Sequence, residues 1–468
     1  MWLLLALLTV FTLVAGLAVA RMLPGRLALW QPASVASSPV ASAGPVLGAV
    51  SDPAASQAAT SAGVSAAVSG LLGSAAFGPH VGALVGDLAT GQVLFSSQSS
   101  AGFAPASTAK LATAVAALDV LGPDARLTTR VVAGQTPSSI ILVGGGDPTL
   151  AAGPYPASNY PQPATLESLA ASTAGSLRAK GIQTVTLGYD TSLYTGPEMA
   201  PGWTQSYVTT GNVTPIESLE VDQGRLTAAG TPDDADNVEV TRSQTPAADA
   251  AHAFASFLAS DGITVSGGPA PAQAPAGSAA LASVSSPPLS EIVLQMLTES
   301  NNVDAENLAR QVAIATGQPA SFAGAAAAVT AVLARLGIHG VSLVDGSGLS
   351  PMDRITPDTL VQLVRLAAAP SKPNLRPVIT GLPVAGFSGT LVAGASVFGA
   401  LGQPALGVVR AKTGNLSTVV ALAGIAQDKN GQLLVFAFMA DQLAATSLVP
   451  AADQMTRLAT ALAACGCH

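Results

Sequence analysis

The spacing of apolar positions changes several times along this chain, and each change marks an element. Residues 2–20 are apolar without a charge, closed by the small triplet Ala18-Val19-Ala20. From Gln31 to about Gly70 the chain is Ala, Ser, Pro and Gly with few large apolars, too little to order itself by burial. From Val81 to Ser100 the pattern predicts a hairpin: HVGALVGDL, a turn at Ala89-Thr90-Gly91, then QVLFSSQS. Pro105 and Ser107 open STAKLATAVAALDVLG, a helix with small apolars on most positions.

Beyond Arg126 the rhythm shortens. The β-like runs RVVA, SIILVGG, TVTLGYD and VEVTR alternate with Gly/Pro/Asp turns, and helices are predicted over 166–180 and 247–260. Pro/Ala/Gly-rich stretches at 151–165 and 267–288 punctuate this part, which reads as a separate domain, 126–287. Helices resume over 289–316 and 320–336, DGSGLSP is a turn-rich loop, and another helix covers 357–368. VVALAGIAQ and QLLVFAFMAD read as strands joined by Lys429-Asn430-Gly431, an Asn-Gly hairpin signal. A helix over 450–464 closes the chain, and no internal repeat is visible.

Composition narrows the function. A length of 468 residues suits two or three domains. With 49% apolar and 10% charged residues the chain is not disordered. A net charge of −8 argues against nucleic-acid binding, which needs a basic face. The mean hydropathy of +0.48 comes from Ala, because outside residues 2–20 no run approaches the ~18 apolar residues of a spanning helix. Residues 1–20 are therefore an export signal or a retained membrane anchor, although the first cations, Arg21 and Arg26, follow the run. With the tether over 21–70, this layout predicts an extracytoplasmic protein held at or near a membrane. Cys465 and Cys467 cannot staple the fold, and a disulfide between them is expected to be strained.

Only five lysines occur, and two sit in sequences with a chemical reading. Ser107-Thr108-Ala109-Lys110 places a hydroxyl and an amine three residues apart on one helix face. A serine hydroxyl needs a base to become a nucleophile, and a lysine serves when burial or a second cation lowers its pKa. Lys412-Thr413-Gly414 offers that second cation, a hydroxyl donor, and a glycine that lets backbone approach a substrate. In Ser300-Asn301-Asn302, Ser300 offers a proton relay to a leaving amine and the Asn302 amide a hold on a substrate carbonyl. Each motif alone has an ordinary structural explanation as a cap or a surface charge; all three in this order arise by chance about once in a hundred. His80, His252, His339 and His468 show no metal-ligand spacing, and Gly144–Gly146 is not followed by the Lys-Ser/Thr of a phosphate loop. No metal or other cofactor is therefore expected.

The remaining segments sharpen the picture. Gly144-Gly145-Gly146-Asp147-Pro148-Thr149-Leu150, Asp190-Thr191-Ser192-Leu193 with Pro201-Gly202-Trp203, Asp345-Gly346-Ser347-Gly348-Leu349-Ser350, Leu382-Pro383-Val384-Ala385-Gly386 with Gly389-Thr390-Leu391, and Arg410-Ala411-Lys412-Thr413-Gly414 are all present. With the three motifs above they resemble the D-alanyl-D-alanine carboxypeptidase/endopeptidase family, the class C low-molecular-mass penicillin-binding proteins, over about residues 75–460. The resemblance implies an α+β, β-lactamase/transpeptidase-like fold: a five-stranded antiparallel sheet flanked by helices, here over 71–125 and 288–468. It also implies an inserted domain between the first two motifs, and 126–287 has the room for one.

The implied activity is serine D-Ala-D-Ala carboxypeptidase, with D,D-endopeptidase action as a second outlet. The implied partners are peptidoglycan stem peptides and, as covalent ligands, β-lactam antibiotics. Ser107 would be the acylated nucleophile and Lys110 its base, with Ser300, Asn302 and Lys412 completing the proton-transfer network. Thr413, Gly414 and Asn415 would bind substrate, Thr413 at its terminal carboxylate, and the N–H groups of Ser107 and Asn415 would form the oxyanion hole. Asp190 would reach the amino end of a diaminopimelate side chain. Two positions depart from the pattern: Asn415 replaces a hydroxyl residue after K-T-G, and Pro351 replaces an arginine after DGSGLS, with Arg354 three residues on. A β-lactamase and a non-catalytic wall-binding protein with a relic site are the competing readings.

Overall fold

The computed structural model of the chain describes residues 58–157, 160–226, 240–392, 394 and 402–468. The apolar run at 2–20, most of the expected tether and the first two residues of VEVTR lie outside the described residues. Among the described residues, no helix is long and apolar enough to cross a membrane.

The first element corrects the tether. Residues expected to be unordered form α1, Ser61–Leu72, capped by the Thr60 hydroxyl, which accepts from Gly63 N. Its Val64, Val68 and Leu72 are buried, a stripe that a background of Ala, Gly and Ser concealed. The expected hairpin follows as β1, Val81–Asp87, and β2, Val93–Ser97. Helix α2 spans Lys110–Leu121 and is buried along nearly its whole length, which only small side chains allow.

Residues 128–285 build a second sheet from β3, Thr128–Ala133; β4, Ser139–Val143; β5, Thr184–Asp190; and the short strands β6, Thr264–Val265, β7, Ala270–Pro271, and β8, Ala280–Ser285. Strand β4 runs parallel to β5 and antiparallel to β3, which pairs antiparallel with β8. Helices α3, Leu166–Ala179, and α4, Pro246–Ser260, join this sheet in a core of its own around Leu142, Leu169, Val185 and Phe254.

The chain then returns to the first body. Helices α5, Leu289–Thr298; α6, Asn302–Ala315; α7, Phe322–Arg335; and α8, Pro357–Ala368 precede β9, Val409–Leu416; β10, Val419–Gln427; β11, Leu433–Ala440; and α9, Leu448–Ala464. The five long strands form one antiparallel sheet in the order β9-β10-β11-β1-β2. Period-two alternation explains why β10 and β11 are apolar throughout. Ala421, Ala423, Val435, Ala437 and Met439 face a core shared with α2 and α5–α8. Val420, Leu422, Phe436 and Phe438 face the opposite core, with α1 and α9.

The two cysteines lie at the C-terminal tail. Cys465 and Cys467 are joined in a disulfide with a Cα–Cα distance of 5.0 Å. An extended Cys465 and a left-handed Cys467, φ 46°, curl the tail enough to close it. The curled tail receives the start of α1, with Thr60 N donating to Cys467 O at 2.6 Å.

Candidate active site

The turn before α2 carries Ser107. It is a 3-10 turn, Ala106–Ala109, entered through Ala106 in the left-handed region at φ 46°. A non-glycine residue there costs about 1–2 kcal/mol, so its surroundings must enforce it. Two glycines do so. A Cβ on Gly348, φ +83°, would sit 1.9 Å from Ala106 O, and one on Gly414 would sit 2.6 Å from Pro105 O. The glycine of K-T-G thus admits the serine's own turn, not only a substrate as the sequence suggested. Asp441 adds a hold from β11's end, its Oδ2 accepting from Ala104 N at 2.9 Å.

Lys110 is fully buried at the start of α2. Its Nζ lies 2.8 Å from Ser107 Oγ, 2.6 Å from Asn302 Oδ1 and 2.9 Å from Ser347 O. Burial lowers its pKa to about 7, against the pull of Asp345, Glu306 and Asp304, which favour the charged form. An amine of that pKa, within hydrogen-bond reach of a serine hydroxyl, is poised as a base near neutral pH. Of the two causes the sequence left open, burial and a second cation, burial lowers the Lys110 pKa. The repulsion between the two amines falls on Lys412, which burial and Lys110 hold well below the ordinary lysine value.

Lys412 and Thr413 are buried on β9, the strand beside the Ser107 turn. Lys412 Nζ donates to Thr413 O at 3.0 Å, and the hydroxyls of Thr413 and Thr390 pair at 2.7 Å. Asn415 is exposed one residue past Gly414.

Ser300 stands in the break between α5 and α6, at φ 61°. Asn301 caps α6 by accepting from Asp304 N at 3.1 Å, which starts a new helix and leaves Ser300 in the bend. Ser107, Ser300, Asn302 and Asn415 line one cavity of about 460 Å³. Tyr207, Asn212 and Arg242, from the inserted segment, line it too. The Asn302 amide donates to Asn212 O at 2.8 Å, while Arg242 is anchored on Gly211 O and Gln223 O. Sequence reading missed these three, since no local motif marks a residue that reaches the site only through the fold.

Asp190 lies elsewhere. It lines a cavity of about 800 Å³ with Arg130 and Ser192. Burial pushes its carboxyl up, but N–H donors at Ser192, 2.8 Å, and Ala274, 2.7 Å, together with Arg130, hold it below the usual value. Neither departure from the motif supplies a cation to the catalytic cavity: Pro351 is exposed, and Arg354 bonds Pro351 O and Asp353 O of its own loop.

Comparison with known proteins gives the family and the fold. Residues 64–241 and 225–462 match the D-Ala-D-Ala carboxypeptidase 3 (S13) family. A carboxypeptidase of Mycobacterium tuberculosis is 39% identical over 404 residues, 85% of this chain and 83% of that protein. A D-alanyl-D-alanine carboxypeptidase of Actinomadura sp. is 32% identical over 425 residues, 75% of this chain and 76% of that one. Among solved structures, penicillin binding protein 4 of Haemophilus influenzae superposes with a TM-score of 0.65 at 22% identity, covering 85% of this chain and 97% of that one. That likeness is one of fold, the α+β transpeptidase-like architecture expected above.

Proposed function

The chain belongs to the D-Ala-D-Ala carboxypeptidase 3 (S13) family, and from that premise we propose that it is an exported serine carboxypeptidase of peptidoglycan stem peptides, with D,D-endopeptidase action on cross-links. The observation that carries this reading is the 2.8 Å contact between Ser107 Oγ and a buried Lys110 whose pKa is about 7.

The residues divide the reaction as follows. Neutral Lys110 takes the Ser107 proton as Oγ attacks the carbonyl of the penultimate D-alanine. The N–H groups of Ser107 and Asn415 receive the oxyanion. The C–N bond breaks, and the leaving amine takes a proton relayed through Ser300 from the Lys110–Lys412 pair. Water, activated by Lys110, then releases the acyl group. Thr413 holds the substrate's terminal carboxylate. A β-lactam opens on the same serine and leaves slowly, because its acyl group blocks the approach of water. The apolar run at 2–20 would serve export or anchoring outside the cytoplasm.

The test is the intact mass of the protein after brief incubation with benzylpenicillin, beside Ser107→Ala. One stable adduct, absent from the variant, is the expected result. Intact penicillin and no adduct would favour wall binding without catalysis; hydrolysed penicillin and no adduct, a β-lactamase.

A further inference from the structure

The loop Asp345–Ser350 lies under Lys110, and its hydrogen bonds lead out to the inserted segment. The peptide between Ser347 and Gly348 is held at both ends. Its carbonyl accepts from Lys110 Nζ at 2.9 Å, and its N–H donates to Asp345 Oδ1 at 2.7 Å. The other carboxylate oxygen of Asp345 accepts from Ser350 N at 2.6 Å and from the Trp203 indole Nε1 at 2.7 Å. Asp345 is buried, so these bonds act in a low dielectric, where a chain of bonds polarises its members. Trp203 belongs to the inserted segment, and its ring meets Phe322 of α7 edge-on at 5.2 Å, which sets the direction of its N–H.

We propose that Trp203 and Asp345 are positioning residues for the general base: the indole orients the carboxylate, the carboxylate fixes the Ser347–Gly348 peptide, and that peptide aims Lys110 at Ser107. The inserted segment thereby sets the reactivity of the nucleophile in the other body. The inference rests on the reading of Ser107 and Lys110 given above.

The surrounding charges are compatible with this role. Glu306 on α6 accepts from Gly346 N at 3.0 Å and Ser347 N at 2.8 Å, bracing the same loop, with Arg310 beside it at 3.7 Å. Burial, and then Asp345, push the Asp353 carboxyl up, favouring its protonated form. Tyr207 faces Asp345 from the inserted segment. Lys110 itself also meets Asp304 and Glu306 from α6 and Lys412 from β9. Among these, Asp345 makes the largest contribution favouring the lysine's charged form.

The experiment follows acylation of the full-length protein by a fluorescent penicillin from pH 5 to 9. Trp203→Phe keeps an aromatic ring against Phe322 and removes only the donor. It should slow the acylation step about tenfold, the scale of one hydrogen bond to a charged group, without weakening the preceding noncovalent binding. Asp345→Asn removes the charge, so the acid limb of its profile should move to lower pH. Wild-type acylation by Trp203→Phe, or an unmoved acid limb in a folded Asp345→Asn, would overturn the proposal. If Asp345→Asn does not fold, Trp203→Phe decides alone. Failure of the wild type itself to acylate would instead sink the underlying reading of Ser107.

Discussion

The two sheets of this molecule are covered differently. The five-stranded sheet is buried on both faces, so β10 has one exposed residue and β11 one. The second sheet packs α3 and α4 into a core, yet β8 is exposed or half-buried along its whole length, and the polar cavity of Arg130 and Asp190 lies alongside. Strain and perturbed ionisation at the catalytic cavity follow the first sheet. Left-handed Ala106 and Ser300, and the buried amines of Lys110 and Lys412, belong to it or to the helices packed on it. Elements clamped from both sides can hold a residue in a costly backbone region and a lysine out of water. The inserted segment contributes through the bonds it sends across: Asn212 O, the Gln223 side chain and the Trp203 N–H.

The contrast can be broken at its strongest point first. Lys110→Met should lower penicillin acylation about a thousandfold, the usual scale of a lost general base; stopped-flow labelling measures it. In the unaltered protein the rate should fall about tenfold per pH unit below the lysine's pKa of about 7, since the protonated amine cannot accept the serine's proton. The folded value lies below the ordinary 10.5, so the unfolded chain binds more protons between the two, and stability should rise with pH across that window. A flat melting temperature from pH 7 to 10 would contradict a buried amine.

Gly414→Ala probes the clamp itself. A Cβ 2.6 Å from Pro105 O must displace the Ser107 turn. The expected cost is about 1–3 kcal/mol of stability, with acylation falling further than in a surface control. Thermal melts and labelling rates together separate the two effects. The smallest effect belongs to the second sheet. Asp190→Asn loses one of two backbone hydrogen bonds and the charge on the acceptor of the other, about 1–3 kcal/mol, yet should leave penicillin acylation within about twofold. A large loss of acylation would mean that the two cavities act as one.

Much of this was legible in the chain. Ser107 and Lys110 are three residues apart on a helix start, and that local geometry fixes their contact. The apolar runs of β10 and β11, joined by an Asn-Gly turn, likewise named both strands. Three things were hidden for physical reasons. Helix α1 reads as a tether, because its stripe of Val64, Val68 and Leu72 is sparse among small residues. The bend at Ser300 depends on Asn301 capping α6, a choice between continuing a helix and starting one that spacing does not decide. Tyr207, Asn212 and Arg242 reach the cavity over long sequence distances, and periodicity carries no information about which loops the fold folds back.

The strand order also dictates a sequence of assembly. Strand β1 pairs with β11, Val81 opposite Ala440, so an early hairpin waits for almost the last strand to be made. The second sheet asks for nothing outside 128–285 and is complete while β9–β11 do not yet exist. During vectorial synthesis the second sheet's strands are therefore available to pair first, whereas Trp203 and Asn212 meet Phe322 and Asn302 only after those later residues are made.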